Sequence, residues 1–166
     1  GHIAGGEALV RWMHPARGLV SPAHFIEFAE GSGLIDAIGQ RVLKVACSQF
    51  VAWRAEGLPL DYISVNVSPR QFLSTGFAQT VAEALEAYGV PAASLHLELT
   101  ETAVLGEQTT VRANLERLTA LGTPLELDDF GTGYSSLAHL QRLPVAAVKL
   151  DRAFIRHIHE DASALA

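Results

Sequence analysis

Short strand-like segments alternate with amphipathic helical segments along this 166-residue chain. Strands are predicted over the ranges 3–12, 62–68, 95–101, 125–129 and 146–150. Apolar residues at helical spacing predict helices over 34–53, 77–88, 111–121 and 137–143. Ser21 and Pro22 are typical of a helix N-cap and first helical residue and predict an earlier helix start. Strands that alternate with helices form parallel sheets with helical crossovers, so the sequence predicts an α/β fold.

Within each predicted strand, apolar and polar residues alternate. Ile63 and Val65 alternate with Ser64 and Asn66, for example. Because side-chain direction in a strand has a period of two, the apolar row faces the surrounding helices and the polar row faces a common interior. An open sheet with helices on both faces would bury these charges without partners, whereas a barrel gathers them at the carboxyl ends of its strands. The pattern therefore predicts a TIM-like (β/α) barrel.

Composition limits the protein to a few classes. The length is that of one domain, taken as residues 1–166, and the 49% hydrophobic content excludes intrinsic disorder. A net charge of −6 disfavours binding to long nucleic acid. The single cysteine, Cys47, excludes an internal disulfide and a cysteine zinc site, and it fits a cytoplasmic location. No apolar run approaches a membrane span, so we expect no membrane contact.

The inward row carries a set of side chains that can hold metal ions. Its members are Glu7, Asn66, Glu98, Asp128 with its neighbour Asp129, and Lys149. All offer oxygen except the lysine, and hard oxygen donors suit Mg²⁺ or Mn²⁺, with Ca²⁺ as a further option. Several carboxylates in one cavity repel one another unless cations neutralise them, which suggests two ions. The alternative is that each is an ordinary strand-end acid.

The segment 128–136 is the most specific stretch. Asp128 and Asp129 would point opposite ways on a regular strand, so both reach one site only if the strand bends there. Gly131 and Gly133 permit such a bend. A glycine-rich phosphate loop is a weaker interpretation, because the third glycine and the lysine of the nucleotide-binding motifs are absent.

Three further side chains have two interpretations each. Lys149 is either a Schiff-base nucleophile or, beside several carboxylates, a charged partner for phosphate or water; we favour the second. Arg11 lies four residues after Glu7 on the same predicted face, where it binds a phosphate or pairs with an acid. His96, two residues before Glu98, is either an interior member of the site or the partner of a structural hydrogen bond; we favour the second.

The residues carry a family resemblance. Glu7-Ala8-Leu9-Val10-Arg11-Trp12 resembles the signature of the EAL domain, the bacterial cyclic di-GMP phosphodiesterase. The match continues in family order over essentially the whole chain, through segments 14–35, Asn66-Val67-Ser68, Glu98-Leu99-Thr100-Glu101, 128–136 and Val148-Lys149-Leu150-Asp151.

The resemblance implies a two-metal hydrolysis of cyclic di-GMP to the linear dinucleotide pGpG, with two Mg²⁺ or Mn²⁺ ions. Catalytic roles fall on Glu7 and Lys149, of which Lys149 orients the attacking water. The implied metal ligands are Glu7, Asn66, Glu98, Asp128 and Asp129. The implied substrate contacts are Leu9, Arg11 and Asp151. Glu101 is implied to steady the Asp-Asp-Phe-Gly loop.

Length is where this sequence departs from the family pattern. The family has a strand before Glu7 and later strands with a further metal-binding glutamate and a glutamine, which this sequence lacks. We therefore expect an incomplete barrel that is unstable alone, pairs as a homodimer, or belongs to a longer protein with sensory or GGDEF-type domains. The competing function is a catalytically incomplete module that acts as a cyclic di-GMP receptor or regulatory domain.

Overall fold

The computed structural model describes residues 3–104, 109–130 and 143–150. The strands are β1 (Gly5–Ala8), β2 (Trp12–His14), β3 (Gly18–Val20), β4 (Tyr62–Val67), β5 (Leu95–Thr100), β6 (Leu125–Phe130) and β7 (Ala147–Leu150). The α-helices are α1 (Ile26–Ser32), α2 (Ile35–Ala55), α3 (Pro69–Phe72), α4 (Phe77–Tyr88), α5 (Glu101–Val104) and α6 (Thr109–Leu121). Two short 3-10 helices, Pro22–His24 and Ala92–Ser94, complete the described elements.

Five strands form one parallel sheet in the order β1-β4-β5-β6-β7. The sheet curls into half of a TIM-like barrel, which confirms the predicted fold class. The separate pair β2-β3 is antiparallel and forms a small hairpin.

The apolar row of each strand packs against the helices on the outside of the curl. Residues 63, 65 and 67 of β4 and 95, 97 and 99 of β5 are all buried, as the alternation predicts. Helix α2 covers β4 and also packs on α4, which in turn packs on α6. The main core therefore lies between the sheet and this layer of helices, and the opposite face of the sheet is left for polar side chains.

Helix ends follow the predicted signals. Gly89 ends α4 with φ of 64° and Gly122 follows α6 with φ of 86°, a left-handed conformation that glycine adopts without strain. Pro22 does begin a helix, but that helix is a single 3-10 turn, and Ser21 makes no side-chain capping hydrogen bond. The predicted helix over 137–143 falls largely outside the described residues.

The prediction of one strand over residues 3–12 is wrong. Strand β1 ends at Ala8, and Trp12 begins the hairpin, whose turn covers residues 15–17. Residues 9–11 form no strand, so the chain leaves the parallel sheet after β1, and Trp12 belongs to a separate antiparallel pair. No helix in the described part of the chain is both long and apolar enough to cross a membrane.

Candidate functional site

The polar rows of neighbouring strands line up across the inner face of the sheet. Asn66 of β4 lies opposite Glu98 of β5, and Glu98 lies opposite Glu126 of β6. Asp128 follows two residues later on β6, opposite Thr100. Because the strands are parallel and in this register, their carboxyl ends bring oxygen-bearing side chains to one region of the curled sheet.

Glu7 and Asn66 form the exposed side of this region. The Asn66 amide Nδ2 donates a hydrogen bond of 2.7 Å to Glu7 Oε1, which ties the ends of β1 and β4 together. Both side chains are exposed. They line a cavity of about 490 Å³, whose wall also includes Leu9 and Thr100. The cavity therefore opens directly beside two of the predicted metal ligands.

Glu98 and Lys149 form the buried side. The Glu98 side chain is only 1% exposed, and its Oε1 forms an ion pair with the Lys149 ammonium. Partial burial acts to lower the pKa of Lys149, but the carboxylates of Glu98, Glu126 and Glu7 outweigh it and raise the pKa above the ordinary lysine value. Lys149 is therefore held protonated, which disfavours the Schiff-base role and fits a charged partner.

Asp128 and Asp129 lie where β6 departs from regular geometry. The pairing of β6 with β7 shifts register between Leu127 and Phe130. Asp129 has φ of 54°, the only positive value at a non-glycine residue of the described chain. Asp128 is half-buried and Asp129 is exposed. The predicted bend at this pair is therefore present in the backbone, although Gly131 and Gly133 themselves lie outside the described residues.

The outcome differs among the remaining predicted site residues, Leu9, Arg11, Glu101 and Asp151. Arg11 follows the end of β1, and its guanidinium donates to the Val10 carbonyl, so the prediction that it shares a strand face with Glu7 is wrong. Leu9 is 55% exposed beside Glu7. Glu101 is buried in the first turn of α5, and the Asp-Asp-Phe-Gly loop that it was expected to steady is described only as far as Phe130. Asp151 lies outside the described residues.

Glu126 is the side chain in this region to which the sequence analysis gave no role. It is buried, its Oε2 lies 3.6 Å from Lys149 Nζ, and its Oε1 lies 2.5 Å from His96 Nδ1. The alternation along β6 placed it on the same face as Asp128, which was the available signal. The expected structural hydrogen bond of His96 is confirmed, with Glu126 as its partner.

The chemistry of these donors fits a hard divalent cation. Buried Glu98 Oε2 accepts no hydrogen bond from any described residue, and a buried carboxylate oxygen calls for a positive partner. Glu7, Asn66 and Asp128 add further oxygen atoms, and oxygen donors suit Mg²⁺ or Mn²⁺. Across the described residues, however, no three His, Cys, Asp or Glu side chains are arranged to hold one ion together. In this arrangement the cation beside Glu98 is the Lys149 ammonium.

Comparison with known proteins places this geometry in a family. A family model for the EAL domain matches residues 1–166. The chain belongs to the EAL domain family. Among solved structures, the PaMucR phosphodiesterase in complex with c-di-GMP superimposes with a TM-score of 0.86 at 41% identity, and the match covers 96% of this chain and 64% of that one.

Two curated relatives are similar to this chain over most of its length. MucR of Pseudomonas aeruginosa, a bifunctional diguanylate cyclase/cyclic di-GMP phosphodiesterase, is 42% identical over 97% of this EAL chain and 24% of its own length. PdeR of Escherichia coli K12, a cyclic di-GMP phosphodiesterase, is 38% identical over 96% of this chain and 24% of its own length. The EAL chain thus spans about a quarter of the length of these relatives.

Proposed function

We propose that this EAL domain hydrolyses one phosphodiester bond of cyclic di-GMP to give the linear dinucleotide pGpG. The observation that carries the proposal is the convergence of Glu7, Asn66, Glu98 and Lys149 on the inner face of one parallel sheet, where Glu7 and Asn66 line an open cavity. The names of two relatives and the ligand of one solved neighbour supply the substrate class.

Each side chain has a part in the proposed reaction. Glu7, Asn66, Glu98, Asp128 and Asp129 would hold two Mg²⁺ or Mn²⁺ ions. Such ions, when bound, activate water and neutralise charge on the transferring phosphoryl group. Lys149, kept protonated by its carboxylate neighbours, would donate hydrogen bonds that orient the attacking water and stabilise charge on the phosphoryl oxygens. Leu9 lines the cavity and would contact the nucleotide, with Arg11 and Asp151 as further proposed substrate contacts.

The proposed setting of the domain follows from its relatives. Because the chain spans about a quarter of multidomain relatives such as MucR, we propose that it works in the cytoplasm, fused to sensory or GGDEF-type domains. Its net charge of −6 suits a cyclic dinucleotide held through cations better than a long nucleic acid.

The test is turnover of cyclic di-GMP by the full chain with Mn²⁺, followed by chromatography of the products. We expect pGpG, loss of turnover on adding a chelator, and recovery on returning Mn²⁺. Glu7→Gln keeps the size of the side chain but removes the charge, and it should lower kcat/KM by at least about 100-fold.

The matched control is Glu116→Gln on α6, where an exposed glutamate pairs with Arg112 one helical turn away. It should leave turnover unchanged, because exposed ion pairs contribute little. Binding of cyclic di-GMP without any product would contradict the proposed hydrolysis and would favour the receptor alternative. Unchanged turnover in Glu7→Gln would contradict the role of Glu7.

A further inference from the structure

Two glutamates face one lysine on the inner side of the sheet. Glu98 and Glu126 lie directly opposite each other on neighbouring strands, and both are buried. Lys149 forms an ion pair with Glu98, and Glu126 Oε2 lies 3.6 Å from the same ammonium. A buried carboxylate without a cation is costly, so one ammonium compensates two negative charges here.

The Glu126 carboxylate is held in place by His96. His96 Nδ1 donates to its Oε1 over 2.5 Å. The His96 ring in turn stacks on Tyr62, with ring centroids 4.2 Å apart and planes within 10° of parallel. Tyr62 lies over Gly5, where an added Cβ would come within 2.5 Å of the ring. Tyr62 is thus packed between Gly5 and His96, and its stacking on the His96 ring leaves Glu126 little freedom to move away from Lys149.

A divalent cation at Glu98 would compete with the Lys149 ammonium for the same carboxylate. Two positive charges within a few ångströms of one another repel, so the ammonium must find another partner when the ion binds. Glu126 Oε2 is the nearest described carboxylate that is not itself a predicted metal ligand. A small movement of Nζ from Glu98 towards Glu126 would free the Glu98 oxygen and keep Lys149 paired.

We propose that Glu126 is a positioning residue that receives the Lys149 ammonium when a divalent cation occupies Glu98, and that His96 holds Glu126 ready for it. The inference rests on the proposed function, because it assumes that Glu98 is a metal ligand. Glu126 touches neither ion nor substrate; it acts through Lys149.

The test is the affinity of the full chain for Mn²⁺ without nucleotide, measured by titration calorimetry. Glu126→Gln removes the second partner and leaves Lys149 on Glu98, so Mn²⁺ binding should weaken about tenfold, the size expected when a group that orients a metal ligand is lost. The same substitution is then made in a Lys149→Met background. There it should change the affinity by less than about twofold, because no ammonium remains to be moved.

A general field effect predicts a different pattern. If Glu126 only adds negative charge near the ion, the tenfold loss will be the same with and without Lys149, and the proposal is overturned. Equal affinities for the unchanged protein and Glu126→Gln would overturn it too, as would the absence of measurable Mn²⁺ binding by the unchanged protein. Glu116→Gln makes the same chemical change at an exposed position and should bind Mn²⁺ normally.

A second variant covers the case in which Glu126→Gln does not fold. His96→Phe keeps the ring stacked on Tyr62 but removes the nitrogen that holds Glu126. It should weaken Mn²⁺ binding in the presence of Lys149 and not in the Lys149→Met background; equal effects in both would overturn the proposal. Failure of the proposed function gives a separate signature, namely the expected Mn²⁺ pattern without any product from cyclic di-GMP.

Discussion

Glu7 and Glu98 have the same chemistry and face the same interior, but their surroundings differ. Glu98 is buried beside an ammonium, whereas Glu7 is exposed and accepts a hydrogen bond from a neutral amide. A buried carboxylate depends on its cation more than an exposed one does. The site therefore combines one buried carboxylate that is paired with an ammonium and one carboxylate that is exposed to solvent.

The alternation of polar and apolar residues predicted which side chains face the interior. It could not predict which of these side chains pair with one another. It placed Glu98, His96 and Asp128 on the inner face, since side-chain direction follows from position alone. It did not reveal the partner of Lys149, because register between strands, which sets Glu126 opposite Glu98, is a property of the sheet. Arg11 was misplaced because the strand ends at Ala8.

The reactivity of the Cys47 thiol gives a test of side-chain burial at the residue scale. It is fully buried on α2, and burial raises the pKa of its thiol from 9.0 to about 11. At pH 8 the folded protein should react with a thiol reagent about 100-fold more slowly than the denatured protein, because the reactive thiolate is scarce. The measurement is a disulfide-exchange assay with and without denaturant, and Cys47→Ala should give no signal.

The same shift sets a pH dependence with a definite sign. Between pH 9 and about 11 the unfolded chain loses the thiol proton while the folded chain keeps it. Rising pH in this window therefore favours the unfolded state, and the contribution of Cys47 to stability falls. Rapid labelling of the folded protein at pH 8 would contradict the burial of this side chain.

At the scale of elements, the long segments were predictable and the short ones were not. Helices α2, α4 and α6 and strands β4 and β5 follow repeated apolar spacing over six residues or more. The hairpin β2-β3 and the four-residue helices α3 and α5 are too short for a period to emerge from their sequence. Helix α3 does have a local signal, the capping-box pair of Ser68, at its N-cap, and Gln71.

A substitution at Gly39 tests the packing of α2 against α3. The side chain of buried Gln71 lies against Gly39, with Cδ 2.7 Å from the position that a Cβ would occupy. Gln71 also accepts a hydrogen bond of 3.2 Å from the Ser68 amide, so it cannot swing away without losing that bond. Gly39→Ala should therefore cost about 1–3 kcal/mol of overpacking, which outweighs the gain of about 1 kcal/mol from helix propensity.

The control is Gly31→Ala on α1, where nothing lies within 4 Å of the added Cβ. Only the propensity gain applies there, so its free energy of unfolding should equal or exceed that of the unchanged protein. Urea unfolding of both variants measures the difference. A Gly39→Ala protein as stable as Gly31→Ala would show that Gln71 does not brace the two helices.

At the scale of the whole molecule, the curled sheet separates two kinds of surface. Its outer face joins the helices through an apolar core, and its inner face collects Glu7, Asn66, Glu98, Glu126 and Lys149. Within the described residues, β1 and β7 are the edge strands of this half-barrel. The fold thus provides stability on one side of the sheet and a charged, open region on the other.

The most direct measurement of the central claim is anomalous scattering from crystals of the full chain soaked in Mn²⁺. We predict Mn²⁺ peaks at the carboxyl ends of the strands, with oxygen atoms of Glu7, Asn66 and Glu98 about 2–2.5 Å from an ion. Peaks found only on the outer surface of the domain, with Glu7 still paired to Asn66 and Glu98 still paired to Lys149, would contradict the account.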